Sequence, residues 1–358
     1  MLCYNCSTIE PIEDQGTIHI RPACTELTLM FLEKGYLVEE INDICAVKYR
    51  SREEMLSLLQ LLQKLTPILR QELNFYVTGG AVPGAQHNWT SLQEFEARMK
   101  HYDVVNIIVE KKFMSYMQPI VDHSENIVAY EFLLRSNETG VPFQPYNLFE
   151  TARTTGLHSF LDRAARISAI ETSAMWLPKG VKRFVNFLPS SIYNPDFCLS
   201  HTFNAIERLS LEPTDFVFEV VETERVEDVG HLQSIFQVYR QNGMSVAIDD
   251  VGAGYSTLEQ MIRLKPDYVK IDRSLIDRCD ENMAQQQQLS TITDIAHSFG
   301  AKVLAEGIER REEFEFCREM GIELAQGYLF GKPADRPPLN HERGGEAPAF
   351  TATSLLHT

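Results

Sequence analysis

The chain has 358 residues, 44% of them apolar, which is enough to bury a large core and excludes wholesale disorder. Fifty acidic against thirty-three basic residues give a formal charge of −17. That balance argues against a nucleic-acid coat protein or a binder of anionic membranes, both of which need a basic face. No apolar run approaches the roughly 18 residues that span a bilayer, and MLCYNCSTIEPIEDQG has neither a basic nor an apolar leader region. The expectation is a cytoplasmic protein with no membrane and no nucleic-acid polymer among its partners.

The chain opens on Cys3-x-x-Cys6, then a strand-like TIHI and Cys24. With His19 the pattern is C-x2-C-x12-H-x4-C, near the spacing of a small zinc site. The residues favour reduced structural cysteines, with zinc at Cys3, Cys6, His19 and Cys24 as the alternative, and seven scattered cysteines do not suggest a disulfide framework. A helical TELTLMFLEKG, an alternating YLVEEINDICAVKYRS and a helical REEMLSLLQLLQKL follow. Residues 1–78 thus read as a small α+β domain. Residues 79–102 read as a linker, GGAVPGAQHNWT, and a short connecting helix. From 103 to 335 strand-like runs alternate with helical ones: FMSYMQPIV, IVAYEFLL, RFVNF, FVFEVVE, SVAIDD, DYVKID, KVLAEG and AQGYLF. Repeated βα units, about eight in number, predict a parallel sheet closed into an α/β barrel of the TIM type. Residues 336–358 read as a loose tail.

Polar residues interrupt these apolar runs. Glu131 lies in VAYEFLL, Asn186 ends FVNF, Glu219 lies in FVFEVV, Asp249 and Asp250 end SVAI, Lys270 ends DYVK, and Glu306 ends KVLA. One such residue alone reads as a salt bridge or a loop boundary. Together, at the ends of barrel strands, they would gather at one mouth. Four or five carboxylates there repel one another unless cations are bound, and one lysine is too little charge. Hard divalent ions with oxygen ligands, Mg²⁺ or Mn²⁺, suit a set without His or Cys. An aspartate bridging two ions, its neighbour on one of them, would explain the adjacent pair. Two such ions roughly 3.5–4 Å apart are an arrangement that hydrolyses phosphate esters.

YMQPIVD, YEFLLR, VNFLP, FEVVETE, IDDVGAGYSTL, VKIDRSLI, AEGIE and QGYLFGKP resemble, in order, the motifs of the EAL domain, a family of bacterial cyclic di-GMP phosphodiesterases. The resemblance covers residues 103–335 and implies an EAL-type (β/α)8 barrel. It makes Glu131, Asn186, Glu219 and Asp249 ligands of a first metal. Asp249, Asp250 and, through water, Glu306 would serve a second. Lys270 would contact the attacking water, and Glu222 would hold the loop after the aspartate pair. Gln118, Leu133, Arg135 and Gln326 would lie beside the dinucleotide, with Arg135 the natural phosphate partner. The implied reaction is metal-dependent hydrolysis of cyclic di-GMP to linear pGpG, and the family resemblance implies a homodimer. A cyclic di-GMP receptor that hydrolyses poorly and acts through protein partners is the alternative.

The motif reads EFL, with Phe132 at the family's alanine position; alternation should turn Phe132 away from Glu131 and toward the outer helices. Val251 and Ala253 replace a phenylalanine and a threonine of the family's loop, which bears on loop stability more than on metal binding. No metal ligand implied by the resemblance is missing.

Overall fold

A computed structural model describes residues 12–13, 15–78, 89–137, 141–221, 228–252 and 258–336. Two compact units interleave along the chain, one from residues 1–114, 134–165 and 190–201, the other from residues 115–133, 166–189 and 202–358.

The first unit carries a five-stranded sheet: β1 (Gly16–Arg21), β2 (Val38–Ile41), β3 (Ile44–Tyr49), β4 (Asn74–Thr78) and β5 (Thr90–Ser91), in the order β2-β3-β1-β4-β5. The alternating run YLVEEINDICAVKYRS folds as the hairpin β2–β3, turning at Asn42 and Asp43. Asn42 takes a φ of +56°, which the short polar side chain tolerates. Period-2 alternation sends Ile18, Ile20, Cys45, Val47, Tyr49 and Phe75 to one face. The helices Thr25–Glu33 and Arg52–Leu62 bury Leu27, Phe31, Met55, Leu58, Leu59 and Leu62 in the same core. Ser51 caps the second of these, its hydroxyl accepting from Glu54 N at 3.2 Å. The helix Leu92–Lys100, in the segment read as a connector, adds Leu92, Phe95 and Met99 to this core. Its capping box, Ser91 with Glu94, starts it directly from β5.

Eight strands close a barrel: β6 (Phe113–Asp122), β7 (Ile127–Ser136), β8 (Lys182–Phe187), β9 (Phe216–Val220), β10 (Ser245–Val251), β11 (Tyr268–Ile271), β12 (Lys302–Ala305) and β13 (Leu324–Gln326). The expected α/β barrel is present, with one departure from a wholly parallel sheet. β6 runs antiparallel to β13, pairing Leu324 with Asp122 and Gln326 with Ile120. Only four residues separate β6 from β7, far too few for a parallel crossover. The turn is held by Asp122, whose carboxylate accepts from Ser124 N at 2.8 Å and Asn126 N at 2.9 Å. β13 is also shorter than AQGYLF suggested, ending at Gln326.

One apolar side chain from every strand meets in the barrel interior: Ile120, Ala129, Phe184, Val217, Ala247, Tyr268, Leu304 and Leu324. Residues two positions apart share a strand face. The next inward layer is therefore Gln118, Glu131, Asn186, Glu219, Asp249, Lys270, Glu306 and Gln326, counting backward on the reversed strand β6. Phe132, one position off this layer, is 3% exposed on the outward face.

Candidate active site

Every member of that second layer is polar, and it follows directly on the buried apolar layer. The Lys270 ammonium sits among four carboxylates: Glu306 at 2.8 Å, Glu219 at 2.9 Å, Asp249 at 3.0 Å and Glu131 at 3.6 Å. Glu131 also accepts from Gln326 Nε2 at 2.6 Å and from Asn186 Nδ2 at 3.4 Å. The same Gln326 amide donates to Gln118 Oε1 at 3.1 Å, and Gln118 Nε2 donates to the Gly331 carbonyl at 3.2 Å. Eight side chains far apart in sequence thus form one hydrogen-bonded and ionic network.

Asp250 should by alternation point outward, because its neighbour Asp249 points in. A β-bulge prevents this. β10 pairs Ile248 with Val269 and then Val251 with Ile271, so three steps along β10 match two along β11. Asp250 sits in the bulge with φ +54°, a left-handed conformation that aspartate adopts more readily than most residues. Carboxylate oxygens of Asp249, Asp250 and Glu306 then all lie within 4.8 Å of one another. The neighbouring Gly252, at φ +105°, leaves no space for a Cβ, which would fall 2.1 Å from Leu275 Cδ1.

The charges strain against one another. Burial pushes the Glu219 and Glu306 carboxyls well above the usual range, and neighbouring carboxylates add to the rise. Burial also acts upward on Glu131, but the Lys270 charge and the Gln326 and Asn186 hydrogen bonds outweigh it and hold this carboxyl below its ordinary value. For Lys270 burial acts downward, and the four carboxylates overcome it, raising the ammonium well above its normal pKa.

Divalent cations fit these residues. The donors are oxygens, one ammonium cannot balance five carboxylates, and neither buried oxygen of Glu219 accepts a well-directed hydrogen bond. Glu131, Asn186, Glu219 and Asp249 would hold one ion, and Asp249, Asp250 and Glu306 the second.

Leu133 and Arg135 continue β7 past Glu131 and are half-buried, with Arg135 Nη1 donating to the Leu134 carbonyl at 2.8 Å. Val251 is buried, whereas Glu222 and Ala253 lie outside the described residues. So do Cys3 and Cys6. His19 lies on β1, where its Nε2 is 3.0 Å from the Thr78 hydroxyl and its ring stacks on Tyr76 at 4.2 Å; Cys24 precedes the helix Thr25–Glu33. Sequence reasoning missed Asp280, Arg310 and Glu313, which tie together the loops after β11 and β12. The pattern R-x-x-E at the start of the helix Arg311–Glu319 was their only trace in the sequence. Among the described residues no helix is long and apolar enough to cross a membrane.

Comparison with known proteins gives concordant matches. The chain is 28% identical over 229 residues to the probable cyclic di-GMP phosphodiesterase PdeG of Escherichia coli, a match covering 62% of this chain and 45% of that protein. It is 30% identical over 216 residues to the E. coli blue light- and temperature-regulated antirepressor BluF, covering 60% of this chain and 52% of that one. This chain therefore spans about half the length of these curated relatives. Among solved structures, a standalone EAL protein from Vibrio cholerae O395, in its c-di-GMP-bound form, superimposes with a TM-score of 0.58 at 31% identity. That likeness covers 63% of this chain and 94% of the other. The family model for the EAL domain matches residues 103–333, and the chain belongs to the EAL domain family.

Proposed function

We propose that this protein hydrolyses cyclic di-GMP to linear pGpG in a reaction that requires Mg²⁺ or Mn²⁺, two ions per site. The observation that carries the proposal is the convergence of four carboxylates on Lys270, with Asp250 brought beside Asp249 and Glu306 by the bulge. Bound ions supply the Lewis acidity that makes water a competent nucleophile near neutral pH and offset charge on the phosphoryl oxygens. Lys270 stays protonated among its four carboxylates and orients the attacking water by donating a hydrogen bond to it. Gln118 and Gln326 line the site beside the dinucleotide, Leu133 packs against it, and the planar Arg135 guanidinium pairs with phosphate oxygens. We assign this chemistry to residues 103–335 of a cytoplasmic homodimer, and a regulatory role to residues 1–78. Zinc at Cys3, Cys6, His19 and Cys24 stays the alternative to reduced cysteines there and is tested by metal analysis of the purified protein.

The experiment is hydrolysis of cyclic di-GMP by the full chain, with Mn²⁺ or Mg²⁺ and then EDTA, the linear product followed by chromatography. Metal-dependent turnover is expected; its absence sinks the proposal. A second reading, a cyclic di-GMP receptor acting through protein partners, draws on the similarity to BluF, which is named an antirepressor. Tight nucleotide binding without turnover would favour it and implicate Val251 and Ala253.

A further inference from the structure

Glu313 is a carboxylate outside the Lys270 cluster, 1% exposed, at the third position of the helix Arg311–Glu319. Its Oε2 accepts from Glu309 N at 3.1 Å and Arg310 N at 3.0 Å, as a capping glutamate does. Its Oε1 does something a cap does not require. It accepts at 3.0 Å from the backbone of Arg278, in the segment that follows β11. Arg310 reinforces the link with a bidentate pair to Asp280 at 3.0 and 3.1 Å. The loops leaving β11, the strand of Lys270, and β12, the strand that leads into Glu306, are thereby clamped to each other.

This clamp matters because of where Glu306 sits. Asp249 and Asp250 belong to strand β10, but β12 ends at Ala305 and Glu306 is the first residue of the loop. Its backbone is held by Glu306 N to the Ile271 carbonyl at 3.1 Å, and the next anchor along the loop is Ile308 N to the Gln326 carbonyl at 3.0 Å. Leu329 N donates to the Ile308 carbonyl at 3.1 Å and Arg273 Nη2 pairs with Glu309 at 2.9 Å, and Glu313 fixes the far end of the loop through the backbone N–H groups of Glu309 and Arg310. We propose that Glu313 is a positioning residue that sets the divalent-cation affinity of the Asp249–Asp250–Glu306 trio by fixing the loop that carries Glu306. The inference rests on the divalent-ion reading of the mouth, and it requires a carboxylate at position 313. An amide has a single acceptor oxygen, so Glu313→Gln must turn its NH2 toward either Arg278 N–H or the pair at Glu309 and Arg310.

The test is calorimetric titration of Mn²⁺ into the full chain after EDTA treatment and desalting, with thermal melts of the same samples. Outer groups that orient metal ligands typically affect affinity by about 10–100-fold, and Glu313→Gln should weaken Mn²⁺ binding by about 10-fold. Glu323→Gln is the control for general destabilisation. Glu323 also accepts a backbone N–H, from Val303 at 2.9 Å, but at the opposite end of the barrel. It should lower the melting temperature and leave Mn²⁺ affinity alone. Equal affinities in wild type and Glu313→Gln, or equal weakening in both variants, overturn the proposal. Should Glu313→Gln not fold, Arg310→Ala replaces it, with weakened Mn²⁺ binding supporting the proposal and unchanged binding overturning it. The readout does not need turnover. A wild type that binds Mn²⁺ but does not cleave cyclic di-GMP, with Glu313→Gln still weakened, would remove the proposed activity and keep this inference.

Discussion

Acidic residues stand at both ends of the barrel, and the two ends treat them differently. Where strands begin, Asp215, Asp267 and Glu323 each precede a strand by one residue, before β9, β11 and β13. Each binds the backbone of a neighbouring segment: Asp215 accepts from Gly180 N at 2.9 Å, Asp267 from Val246 N at 2.9 Å, Glu323 from Val303 N at 2.9 Å. Each also has a basic partner close by, in Arg183 at 3.1 Å, Arg240 at 3.1 Å and His297 at 3.0 Å. At the mouth, four carboxylates share one ammonium. One end is satisfied by the protein itself; the other is left short of positive charge. Satisfied acids secure a fold, whereas a deficit of this kind, held in place by packing elsewhere, marks a site for chemistry.

The sharpest way to break the comparison is to remove one acid from the mouth. Asp249→Asn should cut hydrolysis of cyclic di-GMP by more than about 100-fold, beyond the usual effect of an outer group. In EDTA the same variant should melt higher, by about 1 kcal/mol, because a crowded charge is gone. Near-normal turnover, or a marked loss of stability, would mean the mouth acids are structural after all.

The next effect tests the cations at the two ends. Arg183 is buried, donating to Asp215 and to the carbonyls of Leu177, Pro178 and Val181. Arg183→Met should cost about 3–5 kcal/mol, the usual penalty for breaking a buried pair, and the cost should be the same with Mn²⁺ or EDTA. Lys270→Met should lose comparable stability in EDTA but recover most of it with Mn²⁺, since ions replace the missing charge. Denaturant melts under the two conditions separate the cases. Metal-independent loss in Lys270→Met would sink the idea that this lysine and the ions balance the same carboxylates.

The last test concerns the metal alone. Wild-type protein should melt higher with Mn²⁺ than with EDTA, by about 2.7 kcal/mol at one hundred times the dissociation constant. An unchanged melting temperature at saturating Mn²⁺ would argue that the mouth binds no ion.

Much of this was legible in the chain. Glu131, Asn186, Glu219, Asp249 and Lys270 each interrupt or end an apolar run, and on each strand alternation fixes which neighbours share that residue's face. The reversal of β6 was legible too, because VDHSEN leaves no room for a crossover, but the regular βα pattern of the other strands obscured it. Glu313 was not legible. A glutamate in a first turn ordinarily caps its own helix, and the bond to Arg278, 35 residues away, exists only once two loops meet.

What the sequence by itself determined is therefore most of the barrel strands and the charged and amide residues that interrupt them, since period-2 alternation is a local property of the backbone. Tertiary structure decided how those polar groups meet. Closing the ring put four carboxylates around Lys270, and the register shift where β10 pairs with β11 brings Asp250 in beside Asp249. A bulge is a mismatch between two strands, and no single strand's sequence contains it.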